Sequence, residues 1–98
     1  MTRQVSLWVN DQPIDLDYFV SGFIDHTIVG MMGALKGVSL VDSLSLSVRG
    51  GEVNLEVNNA QVATNEFVSK IIKNTITGMV STLKGVSKVE SIRIEIKR

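Results

Sequence analysis

The chain contains no cysteine, so disulfide bridges and thiolate metal centres are excluded. It has a single histidine, His26, which leaves little for imidazole-based metal sites or general-base chemistry. No stretch approaches the roughly 18 uninterrupted apolar residues of a membrane span. The opening Met-Thr-Arg-Gln-Val-Ser-Leu-Trp carries no secretory pattern, so a cytoplasmic setting is the expectation. Charge of one sign is missing too. Ten bases balance ten acids, and no broad basic field of the kind that holds nucleic acid non-specifically is formed. The balance hides a local asymmetry: residues 1–50 carry a net charge of −2 and residues 51–98 a net charge of +2. Part of that swap is Asp25 standing opposite Lys73, read either as drift on solvated faces or as complementary pairing between copies or subunits.

What the chain does have is one motif written twice. Residues 5–50 align without a gap on residues 53–98, and 19 of the 46 positions are identical. The densest run is Leu35-Lys36-Gly37-Val38-Ser39 against Leu83-Lys84-Gly85-Val86-Ser87. Ninety-eight residues suit one domain, read as residues 1–98 built from repeats 5–50 and 53–98.

Each copy opens with strict alternation. Val5, Leu7 and Val9 oppose Ser6, Trp8 and Asn10; Val53, Leu55 and Val57 oppose Asn54, Glu56 and Asn58. This is the pattern of a strand with one wet face. The middle of each copy has helical spacing. Val20, Ile24, Ile28, Met31 and Leu35 form an apolar stripe, repeated as Val68, Ile72, Ile76, Met79 and Leu83. Asp17 and Asn65 are placed to cap the helix starts, and Gly37 and Gly85 to stop them. A second stripe, Phe19, Phe23, Thr27, Gly30 and Ala34, has its counterpart in Phe67, Ile71, Thr75, Gly78 and Thr82. A mid-helix glycine costs roughly 1 kcal/mol relative to alanine. Its recurrence at Gly30 and Gly78 predicts that the helices pack side by side with these glycines at the contact. The last third alternates again, with Leu44, Leu46 and Val48, then Ile92, Ile94 and Ile96, facing a core. Gly50-Gly51 between two alternating segments signals a hairpin joining the copies.

The predicted fold class is therefore α+β: βαββαβ with a four-stranded antiparallel sheet in order 4-1-3-2 and two helices on one face. The passages Leu35–Val41 and Leu83–Val89 resemble the helix-to-strand junction of ferredoxin-like modules such as heavy-metal-associated and ACT domains. The resemblance implies fold rather than activity. Heavy-metal domains carry a cysteine pair after the first strand. Here that loop reads Asn10-Asp11-Gln12-Pro13, so metal carriage by that route is excluded.

The search for chemistry is short. His26 falls on the helix face away from the core, with no nucleophile in a motif beside it. Asp11, Asp15 and Asp17 cluster at the first strand–helix junction, where acids favour a helix start; the calcium-loop pattern is missing. No catalytic residue, metal ligand or cofactor is expected, and the chain is read as a non-enzyme. The expected function is a protein-interaction or oligomerisation module. Strands 2 and 4 are expected at the sheet edges. The uncharged Ser43-Leu44-Ser45-Leu46-Ser47-Val48 then offers an edge for a homodimer or protein partner, and the Trp8 face a second route. Interaction candidates are Trp8, Ser43, Ser45, Ser47, Arg93 and Lys97. Two alternatives stand beside it. One is RNA or single-stranded nucleic acid stacking on Trp8, with Glu56 opposing phosphate. The other is small-molecule sensing at a subunit interface. No membrane partner is expected.

Overall fold

A computed structural model of the chain describes residues 4–35, 41–83, 86 and 88–97. The helix-stopping Gly37 and Gly85, and most of the repeated Leu-Lys-Gly-Val-Ser passage, lie outside the described residues. The alternating segments form β1 (Gln4–Val9), β3 (Ser43–Arg49), β4 (Glu52–Val57) and β6 (Ser91–Lys97). Two short strands, β2 (Gln12–Ile14) and β5 (Ala60–Gln61), fold back on β1 and β4. The helices are α1 (Tyr18–Gly33) and α2 (Glu66–Val80). The architecture is α+β, with two helices and one six-stranded sheet in which every pair is antiparallel.

Three two-residue turns shape the sheet, and all have positive φ. Gly50-Gly51 (58° and 86°) makes the foreseen hairpin between copies. Asn10-Asp11 and Asn58-Asn59 each take 53° and 66°, and turn β1 into β2 and β4 into β5. Asparagine and aspartate tolerate this left-handed region better than other side chains with a Cβ. The segment after the first strand is therefore a hairpin with a short edge strand, not the open loop read from the sequence. Pro13 sits on that edge strand, where a missing N–H costs no ladder bond.

The strand order departs from the expectation. It is β2-β1-β6-β3-β4-β5, so the four long strands run first-fourth-second-third rather than 4-1-3-2. The last strand of each copy, β3 and β6, forms the centre of the sheet, and the symmetry relation between copies runs between them. Strands 2 and 4 are thus interior and not edges. A right-handed crossover from β1 through α1 to β3 is compatible with either order, because in both one strand of the other copy lies between. Handedness alone therefore does not choose. Specific side-chain bonds do favour the observed order. Asn10, at the end of β1, accepts from the N–H groups of Glu90 (2.7 Å) and Ser91 (3.0 Å) and donates to the Lys88 carbonyl (2.6 Å). Asn58, at the end of β4, accepts from the N–H groups of Asp42 (2.7 Å) and Ser43 (3.1 Å). Each asparagine clamps the entrance to the other copy's last strand. The long, proline-free β3, uncharged from Ser43 to Val48, has no edge defence over that stretch because it is paired on both sides.

The registers stack apolar residues in rows across all four long strands. Leu7, Ile94, Leu46 and Leu55 make the middle row, all buried. Both helices cover this face with Ile24, Ile28 and Met32 from α1 and Ile72, Ile76 and Val80 from α2. Met31 and Met79, foreseen in the core stripe, are only partly buried, and Met32 and Val80 take the inner place. The predicted caps form: the Asp17 carboxylate accepts from the Val20 N–H and the Asn65 side-chain carbonyl from the Val68 N–H, both at 2.8 Å. The helices do not cross closely. A Cβ added at Gly30 or Gly78 would meet nothing within 4 Å, so these glycines are not a helix–helix contact within the chain. Asp25, expected on a solvated face, is instead 5% exposed.

Candidate functional site: the outer face of helix α1

A helix turns about 100° per residue. With Ile24, Ile28 and Met32 directed at the sheet, Phe19, Phe23, His26 and Gly30 project on the opposite side, into solvent. Tyr18 is 97% exposed, Phe19 72% and Phe23 51%. The Phe19 and Phe23 rings lie against each other with centroids 6.0 Å apart and planes tilted by 39°. The residues lining a surface groove beside them include Tyr18, Phe19, Phe23 and His26 together with the acids Asp17 and Asp25.

The chemistry of this helix is one-sided in composition, not in pattern. The only acidic or basic residue in Tyr18–Gly33, histidine aside, is Asp25, and it is buried. A helix on the surface of a soluble protein ordinarily turns charged residues to water; one that is apolar all round is covered. Gly22 and Gly30 in its interior weaken α1 further, each by about 1 kcal/mol relative to alanine. Among the described residues, the charges that flank α1 in sequence are Asp17, which caps its first turn, and Asp15 just before it.

The sequence reading missed this face because it assigned Phe19, Phe23 and Gly30 to a contact with the second helix. The available signal was the absence of Lys, Arg and Glu from the whole segment Tyr18–Gly33. Helix α2 carries a weaker version of the same ridge, Phe67 at 68% and Ile71 at 45% exposure, but flanks it with Glu66, Lys70 and Lys73.

The sites foreseen from the sequence lie on the other side of the sheet. Trp8, Arg93, Ser47 and Asn54 form one open-face row; Ser6, Glu95, Ser45 and Glu56 form the next. Lys97 pairs with Gln4 and with Ser43 in a third. The structure therefore brings Trp8, Ser43, Ser45, Ser47, Arg93 and Lys97 onto one face. Its Arg93 guanidinium lies 4.1 Å from the centre of the Trp8 ring and 3.7 Å from Glu95. Sheet extension through the strand bearing Ser43, Ser45 and Ser47 is ruled out, because its backbone groups already pair with β4 and β6. The acidic cluster at the first junction is dispersed in role. Asp11 pairs with Arg49 at 2.9 Å, and Asp17 caps α1. Among the described residues no three His, Asp or Glu side chains gather as a metal site, and no helix is long and apolar enough to cross a membrane.

Fold and site together define a two-layer α+β protein with a polar sheet face and an apolar helix face. No family model, curated protein or solved structure matches the chain.

Proposed function

We propose that the protein is a non-enzymatic association module that works through the outer face of α1. The single observation that carries this reading is the exposure of Tyr18, Phe19 and Phe23 on a helix with no exposed Lys, Arg, Asp or Glu. Contiguous apolar surface of this kind marks an interaction site on a soluble protein. The finer fold reading goes with it. The two βαβ units, each split by a strand from the other copy, are the ferredoxin-like plan with the inner and outer strands exchanged. A cytoplasmic setting belongs to the same reading.

The open sheet face is the weaker surface. One face of the Trp8 ring is occupied by Arg93, so it offers less room for base stacking. Glu95 and Glu56 cross the middle of the sheet and oppose a phosphate backbone. Small-molecule sensing at a subunit interface would need a subunit contact first, and α1 is the surface that would supply it.

The test is site-specific photocrosslinking in native extract, with the photoreactive residue placed at Phe23 or at Ser45. Adducts are expected from position 23 and not from position 45. Adducts through the sheet face, or none from either position, would remove the reading.

A further inference from the structure

Resting on that reading, we infer that the occupant of the α1 face is a second copy of the same chain. The two α1 helices pack antiparallel about a twofold axis, with Phe19 and Phe23 of each copy lying over Ala34 and Gly30 of the other.

The chemistry of the face narrows the class of occupant. An anionic membrane or a nucleic acid is held by Lys and Arg. Helix α1 has neither, and Asp15 and Asp17 stand at its start. A protein surface is what remains. The whole-molecule area leaves room for a protein interface of standard size. A monomeric protein of 10.7 kDa exposes about 5,500 Å² by the usual mass scaling. This chain exposes 6472 Å². The surplus, roughly 1,000 Å², is what one partner of a standard interface of about 800 Å² a side can bury. The shape accounts for it: the molecule is a plate of 36 × 34 × 18 Å, one helix layer on one sheet. Pairing by the helix layers would put the apolar ridges inside a four-layer particle.

The line of side chains on α1 also matches itself. Bulky Phe19 and Phe23 occupy its first half, and Gly30 in its second half and Ala34 at its C-cap continue the same line. Beyond the adjoining helix backbone, nothing among the described residues stands within 4 Å of where a Gly30 Cβ would be. Turned end for end, the face sets rings against hollows at both ends, which is the self-complementarity that a twofold contact requires. Antiparallel packing also sets the positive end of each helix dipole beside the negative end of the other. The chain's zero formal charge leaves no net repulsion between copies.

The natural absence of cysteine makes the test direct. Sedimentation of the full chain from about 1 to about 500 μM should show a monomer–dimer equilibrium. Phe23→Glu should raise the dissociation constant about tenfold or more, with the circular dichroism spectrum unchanged. Gly30→Leu, which has room in a single copy, should do the same by filling the hollow. Thr27→Cys, close to the twofold axis, should form disulfide-linked dimers under mild oxidation, and Ser47→Cys on the sheet face should not. A monomer throughout the range overturns the inference, as does a dimer indifferent to both Phe23→Glu and Gly30→Leu. Sedimentation with phosphatidylserine vesicles at the expense of the dimer overturns it equally. If the chain is monomeric while position 23 still crosslinks to a different protein in extract, self-pairing falls and the association-module reading stands. If neither occurs, both fall.

Discussion

Helices α1 and α2 occupy equivalent places in a duplicated chain, yet they meet water differently. Their inner faces agree residue for residue: Ile24 with Ile72, Ile28 with Ile76 and Met32 with Val80, all buried on one sheet. Their outer faces diverge. Helix α2 sets Lys70 beside its apolar ridge and has Glu66 in its first turn, whereas α1 has Gly22 and Tyr18 at those positions and buries its only acid. Both copies meet the same demand from the core, and nothing among the described residues accounts for the outer difference. In the proposed dimer the difference has a cause: α1 makes a contact that α2 does not.

The largest expected effect tests the shared half of the comparison. Ile28→Ala and Ile76→Ala each remove a side chain with no solvent exposure, and each should cost about 2–5 kcal/mol in urea unfolding. The two losses should agree to within about 1 kcal/mol, since the sites are equivalent. A large disparity would break the claim that the two helices seat alike.

The next effect tests the clamps. Asn10→Ala and Asn58→Ala each remove the side-chain bonds that hold a strand entrance, and both leave a non-glycine residue at φ 53°. Each should cost about 1–3 kcal/mol. Hydrogen exchange should quicken at the start of β6 in the first variant and of β3 in the second. Protection that stays unchanged at both strand entrances would show that the clamps do not hold the strand order.

A third comparison concerns the caps. Asp17→Ala and Asn65→Ala should each cost about 1 kcal/mol by chemical denaturation. The smallest effect has the opposite sign. Gly30→Ala and Gly78→Ala fill open space in the middle of a helix and should each stabilise an isolated chain by about 0.5–1 kcal/mol. Measured at concentrations where copies pair, the gain should survive at Gly78 and shrink at Gly30, because only the α1 hollow receives the partner's ring. Equal gains at every concentration would erase the distinction between the two outer faces.

Local chemistry was sufficient for much of this protein. Alternation in Val5-Leu7-Val9 and Ile92-Ile94-Ile96 marked strands, Gly50-Gly51 marked a hairpin, and Asp17 and Asn65 marked the helix starts, because each feature acts through neighbours a few residues away. The Asn10-Asp11 and Asn58-Asn59 turns are equally local, through the left-handed preference of asparagine and aspartate.

Two matters were settled only by tertiary structure. The strand order depends on hydrogen bonds spanning about eighty residues, such as Asn10 to Ser91, and right-handed crossovers satisfy both arrangements. The exposed face of α1 depends on which of two neighbouring stripes meets the sheet. Spacing assigns Ile24 and Ile28 to the sheet and offers Phe19 and Phe23 to the neighbouring helix, and only the packed structure shows the second stripe facing water.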